Sequence, residues 1–188
     1  MKKNEENLWT LKICELLKKE LDCDKYEVTC FEKIPYNVFI NGYSLKNTNI
    51  DFMKYEVDLL IKEKRGEYSV PKLIIESKYC SITTHDVITY SNKASAHKKL
   101  YSGLRYGLMI GNNCELGISP RVVNHGDNFD FMISFKSDIP TEEEWNLFVS
   151  IVKKNLDISD KLEKIISQKN TKSKIRYSCI SKNVEFYE

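Results

Sequence analysis

A mixed α/β fold, one central sheet flanked by helices, is what this sequence predicts, and three observations carry the expectation. Two apolar runs, VDLLI at 57–61 and KLIIESK at 72–78, have the leucine and β-branched density of strands buried on both faces of a sheet. The link KEKRGEY between them is polar and contains Gly66, which marks a turn. Beyond them, a stretch with helical spacing leads into a further short apolar run, RYGLMIG at 105–111, so that strand, helix and strand form a crossover unit.

The remaining elements follow in order. Residues 4–21 carry Trp9, Ile13, Leu16 and Leu17 at helical spacing, with Asn4 as an N-cap. YEVTCF at 26–31 alternates as a first strand, and VFINGYSL offers Asn41-Gly42 as a two-residue hairpin turn. Residues 84–101 form the crossover helix, capped by Thr84 and ended by Gly103. Most of the Asn- and Gly-rich stretch 112–128 is read as a surface loop, and NFDFMISF at 128–135 as another strand. Thr141 followed by three glutamates gives a T-x-x-E capping box that opens a helix bearing Trp145, Phe148, Ile151 and Val152. Residues 157–160 are expected to break or kink that helix, a second amphipathic piece runs to about 169, and IRYSCIS reads as a last strand.

The 188 residues are expected to form one domain, with a core motif at 55–111 and a helical and strand extension at 138–188. With 29 basic against 27 acidic residues the net charge is only +2, so any basic surface must be local. No apolar run reaches the ~18 residues of a membrane span, and the N-terminal MKKNEENLW has no apolar signal core after it, so no membrane role and a cytoplasmic location are expected. The six cysteines form no CxxC pair, which favours neither a zinc site nor a disulfide framework.

Within the apolar runs stand three charged groups that a core would not tolerate without a reason: Asp58, Glu76 and Lys78. Alternation puts Ile74, Glu76 and Lys78 on one face of their strand, and Asp58 with Glu56 and Leu60 on one face of the other. If the strands pair, Asp58 and Glu76 sit together beside an ammonium. Two carboxylates so placed make a hard-oxygen site for Mg²⁺ or Mn²⁺, and Lys78 could stabilise charge building on a phosphate in hydrolysis. The competing structural reading is a buried ion-pair cluster. On the first helix, Glu6 and Glu20 share the stripe of Trp9 and Ile13, so either could add an acid to the site or merely reach water. The crossover helix and its surroundings carry Lys93, His97, Lys98, Lys99 and Arg105 interleaved with Tyr90, Tyr101 and Tyr106, a cluster that suits a phosphate backbone or, equally, a solvated helix face, with His97 a polar surface residue or a phosphate contact.

The succession EVDLLI, hairpin, LIIESK and basic helix resembles the PD-(D/E)xK nuclease superfamily over residues 55–111, and the order of elements extends the likeness to the N-terminal helix. That resemblance implies a restriction-endonuclease-like fold and a Mg²⁺-dependent (or Mn²⁺-dependent) endodeoxyribonuclease of restriction or genome-defence type. Asp58 and Glu76 would be the metal ligands and Lys78 the catalytic lysine, with Glu6 as the helix-borne acid and Glu56 as the acidic residue often found two positions before the aspartate. DNA is the expected partner more than RNA, and two-strand cutting would suit a homodimer. An inactive nucleic-acid- or protein-binding module on the same fold, and a structural subunit of a larger complex, are the alternatives.

Overall fold

The computed structural model describes residues 2–44, 46–113 and 117–167, with side chains from Asn4 onward. The expected last strand, IRYSCIS, lies outside the described residues. The elements are α1 (Lys2–Glu20), β1 (Tyr26–Tyr43), β2 (Thr48–Arg65), β3 (Tyr68–Tyr79), α2 (Thr84–Leu100), β4 (Arg105–Gly111), α3 (Pro120–His125), β5 (Phe131–Ser134) and α4 (Glu142–Ile166). The five strands form one mixed sheet in sequence order, antiparallel from β1 to β3 and parallel from β3 to β5. This is the mixed α/β sheet flanked by helices expected from the sequence.

The two parallel steps require crossovers, which α2 and α3 supply. Alternation along the strands then divides the core into two layers. Leu59, Ile61, Leu73, Ile75 and Met109 face Trp9, Ile13 and Leu17 of α1 and Phe148, Val152 and Leu156 of α4. On the opposite face Leu60, Ile74 and Tyr106 pack with Ala94 of α2, while Leu108 and Ile110 meet Val87 and Val122. A central strand buried by helices on both sides must be apolar almost continuously, which is why β3 and β4 read as unbroken runs.

Arg65 and Tyr68 pair across a two-residue loop in which Gly66 takes φ 61°, a left-handed conformation that glycine adopts at no steric cost. The other hairpin turn differs from expectation. β1 runs through Asn41-Gly42, and the chain reverses at 44–47, where the Ser44 N–H and Oγ both bond the Asn47 carbonyl. Gly42 does not take the positive φ that a type I′ turn needs. A register shift absorbs Asn41 as a bulge, and its amide donates to Asp51 at 2.6 Å. The hairpin so lengthened outruns β3, whose pairing with β2 stops at Leu59 and Ile75. Its outer part carries Ile40, Ile50 and Phe52 exposed on one face, with Phe39 on the other.

Two further expectations are corrected and a third is refined. Thr83, not Thr84, caps α2, because its hydroxyl accepts from Asp86 N–H while the Asp86 carboxylate accepts from Thr83 N–H. The segment 112–128 contains the short helix α3. Helix α4 passes through 157–160 without a break, since Asp157 pairs with Lys161 along the helix and Asp160 pairs with Lys25, just before β1, and Lys72 of β3. Its start is as read, with Thr141 and Glu144 forming the reciprocal capping box.

Helix α1 is seated where a glycine makes room for it. A Cβ at Gly111 would run into the indole of the buried Trp9, whose Nε1 donates to the Asp138 carbonyl at 2.9 Å. Gly111→Ala should therefore lower the thermal midpoint by several degrees, corresponding to roughly 1–3 kcal/mol for overpacking, as read by circular-dichroism melting.

Candidate metal centre

The β2–β3 register, continued one residue past Leu59 and Ile75, sets Asp58 opposite Glu76 near the C-terminal end of β3. Asp58 Oδ2 accepts from the Ser77 N–H at 2.8 Å and is 3.2 Å from the Ser77 hydroxyl. That hydroxyl shares a 2.7 Å hydrogen bond with Thr10 of α1, so the first helix steadies the group that holds Asp58. Glu76 is fully buried. Its Oε1 accepts from the Tyr106 hydroxyl at 2.6 Å and lies 3.7 Å from the Lys93 ammonium, whereas Oε2 is buried without a hydrogen-bond partner. Burial, and then the neighbouring Asp58, push the Glu76 carboxyl up to about 8; Lys93 and the Tyr106 hydroxyl pull the other way.

Lys78 follows on the same face of β3, near its C-terminal end, and it bridges the two helical layers. Its Nζ lies 3.5 Å from Glu6 Oε1 on α1 and 3.7 Å from Asp86 Oδ1 on α2. The other Glu6 oxygen accepts from the Tyr79 N–H at 3.3 Å. Tyr90 stands between the charges: Lys78 and Lys93 lie 5.5 and 5.2 Å from its ring centroid. Burial raises its phenol well above the usual range, and the charges of Asp58, Glu76, Glu6 and Asp86 add to that shift. Lys93 also donates to the Glu56 carbonyl at 3.2 Å.

The structure thus gathers Asp58, Glu76, Lys78, Glu6, Tyr90 and Lys93. Glu6 reaches the site as an anchor for Lys78. Among the described residues, the one group of three acids with oxygens all within 4.8 Å of one another is Glu63, Asp160 and Glu163, so Glu6 does not share a single point with Asp58 and Glu76. Glu20 instead accepts from Trp145 Nε1 at 3.1 Å, and the Glu56 side chain is exposed. Lys98 and Arg105 sit toward the other end of the sheet, bound to Asp130 at 2.8 and 3.0 Å, and Lys99 is exposed in the last turn of α2. His97 is buried among the rings of Tyr36, Tyr55 and Tyr106 rather than exposed to a phosphate, and burial lowers it to about 4, which keeps it neutral.

Sequence reasoning gave Ser77 and Asp86 no role in the site and read Tyr106 only as an aromatic beside the basic residues. Only Tyr106 left a signal: a tyrosine inside the apolar run RYGLMIG needs a partner for its hydroxyl once buried.

Two ionic clusters with different charge balances lie toward opposite ends of β3. Around Lys72, three carboxylates (Glu63, Asp160, Glu163) meet three cations (Lys72, Arg65, Lys25), and the fully buried Lys72 ammonium contacts all three acids. Charges there cancel, and the cation the acids need is already in place. Around Tyr90, four carboxylates (Asp58, Glu76, Glu6, Asp86) face two ammonium groups (Lys78, Lys93). With Glu76 protonated below about pH 8 the surplus is one negative charge, rising to two once a divalent cation displaces that proton; together with a buried carboxyl oxygen that has no hydrogen bond, this all-oxygen donor set suits Mg²⁺ or Mn²⁺.

No protein-family model matches the chain, and no curated protein matches it. Among solved structures it is similar to the restriction endonuclease BsaWI, from a crystal structure of its pre-specific complex with DNA, at 15% identity and a TM-score of 0.36. The match covers 59% of this chain and 44% of that one, so this chain spans less than half the length it matches. Likeness at that level assigns neither activity nor ligand.

Proposed function

We propose that this protein is a Mg²⁺- or Mn²⁺-dependent endonuclease of the PD-(D/E)xK type that hydrolyses DNA phosphodiester bonds. The observation that carries the reading is the buried Oε2 of Glu76, without a hydrogen bond and opposite Asp58, in a site where carboxyl groups outnumber ammonium groups. Asp58 and Glu76 would hold the ion, which when bound supplies Lewis-acid polarisation of a phosphate oxygen. Ser77 fixes the Asp58 carboxylate through its N–H and hydroxyl. Lys78, held between Glu6 and Asp86, keeps an ammonium at the mouth of the site, where it can stabilise the charge on the scissile phosphate and orient the attacking water. Lys93 and Tyr90, next to the acids on α2, are placed to steady the neighbouring backbone. The sequence resemblance supports DNA over RNA as substrate.

The test is cleavage of supercoiled plasmid by the purified chain with Mg²⁺ or Mn²⁺. Wild-type protein should nick or linearise it, Asp58→Ala should lose at least ~100-fold in rate, and Lys78→Ala ~100-fold, as expected when an electrostatic contact to the transition state is removed. Activity that persists in both variants would overturn the assignment. DNA binding without cleavage or divalent-ion affinity would point to the inactive binding module.

A further inference from the structure

Tyr106 enters the site from β4, which pairs with the Glu76-bearing strand β3. Its ring is fully buried, lies against His97 at 5.8 Å and Phe129 at 6.2 Å between centroids, and its main-chain N–H donates to Asp130 Oδ2 at 2.7 Å. The hydroxyl so fixed donates to Glu76 Oε1 at 2.6 Å, and the Lys93 ammonium is 3.7 Å from the same oxygen. One carboxylate oxygen is therefore engaged by protein, and the other is left without a partner.

Resting on the metal-binding reading above, we infer that Tyr106 is a positioning residue that restricts Glu76 to one-oxygen ligation and thereby sets the site's preference for a small octahedral ion over Ca²⁺. Calcium accepts six to eight oxygens and readily takes a carboxylate through both of them, whereas Mg²⁺ and Mn²⁺ take single oxygens and keep waters. A glutamate with Oε1 committed to a phenol cannot offer the two-oxygen grip that calcium uses. Removing the hydroxyl should release Oε1 and with it the discrimination. Partners of metal-binding carboxylates also hold the ligand in its binding orientation, so their loss weakens affinity by about 10–100-fold.

The experiment is isothermal titration of the metal-free full chain with Mn²⁺ and, separately, Ca²⁺, for wild type, Tyr106→Phe and Asp58→Ala. Tyr106→Phe should bind Mn²⁺ about tenfold more weakly and reduce the ratio of Mn²⁺ to Ca²⁺ affinity. Phe129→Leu, which keeps the hydroxyl but loosens the ring, should shift the ratio the same way by less, and serves as the readout if Tyr106→Phe does not fold. An unchanged ratio, with binding that still depends on Asp58, overturns the role of Tyr106 and leaves the metal site standing. No binding by the wild type, or binding indifferent to Asp58→Ala, overturns both.

Discussion

Asp58→Asn should give a protein that, without divalent cations, is more stable than the wild type at alkaline pH while losing metal-dependent cleavage. The expectation follows from Glu76, whose carboxyl is pushed up to about 8 first by burial and then by the facing Asp58. A carboxyl raised in the folded state binds a proton there that the unfolded chain has already released. Its contribution to stability is complete below the unfolded value near 4.5 and is lost as pH rises through about 8. Metal-free wild-type protein should accordingly lose stability between pH 5 and pH 9, by an amount on the order of 4 kcal/mol if the whole shift is expressed. Asparagine keeps a carbonyl oxygen to accept from Ser77 N–H but removes the charge that opposes Glu76, so the variant should lose less, by about 1 kcal/mol. Melting curves from pH 5 to pH 9 in EDTA read this directly. Adding Mn²⁺ at pH 8 should raise the wild-type midpoint, by the linkage of binding to folding, and leave that of Asp58→Asn nearly unmoved. A variant less stable than wild type at pH 8 would mean that Asp58 is a structural partner rather than a ligand.

Lys72→Met should cost about 3–5 kcal/mol of stability, because removal of one member of a buried ionic cluster strands its partners. Lys72 is the extra residue at a bulge in β3, where Ile61 pairs with Leu73 and Lys62 with Pro71. Its side chain is fully buried against Glu63 at 3.1 Å, Asp160 at 2.7 Å and Glu163. The Arg65 hydrogen bond is the largest influence on Glu163, and with Lys72 it holds that carboxyl at about 2. A depressed carboxylate contributes stability above its unfolded value near 4.5 and loses it as pH falls toward 2. The variant should therefore show both a lower midpoint in urea at pH 7 and a shallower loss of stability on acidification. EDTA should change neither, since the cation of this cluster belongs to the chain. Urea titrations at pH 7 and pH 4 check the point, and an unaltered pH 7 midpoint would contradict it.

The contrast between these clusters also explains what the sequence made legible. Strands 57–61 and 72–78 were readable because a strand covered on both faces is apolar at nearly every position, and Asp58, Glu76 and Lys78 stood out against that background. Side-chain alternation was enough to put Glu76 and Lys78 on one face. Tertiary partners were not readable. Lys98 and Arg105 looked like phosphate contacts until Asp130, which is 25 residues or more from each, consumed them. Asp157 and Asp160 looked like helix breakers until Lys161, Lys25 and Lys72 paired with them. Asn41-Gly42 carried the local chemistry of a turn, but strand pairing on either side outweighed it and left a bulge. Local preference decided where nothing longer-ranged competed, as at Gly66 and at the Thr141 capping box.

The arrangement of the site along the chain divides its assembly by loop-closure entropy. The acid pair is joined by the β2–β3 hairpin: Asp58 meets Ser77 at a separation of 19 residues, closed by a two-residue turn. Lys78 meets Glu6 at a separation of 72. Closing the longer loop costs only about 1 kcal/mol more in chain entropy, yet it waits on the docking of α1, whereas the hairpin can form by itself. The two carboxylates are thus brought together by local structure while the lysine's anchor depends on the whole fold. Loosening α1, as at Gly111, would release Glu6 from Lys78 and leave Asp58 facing Glu76.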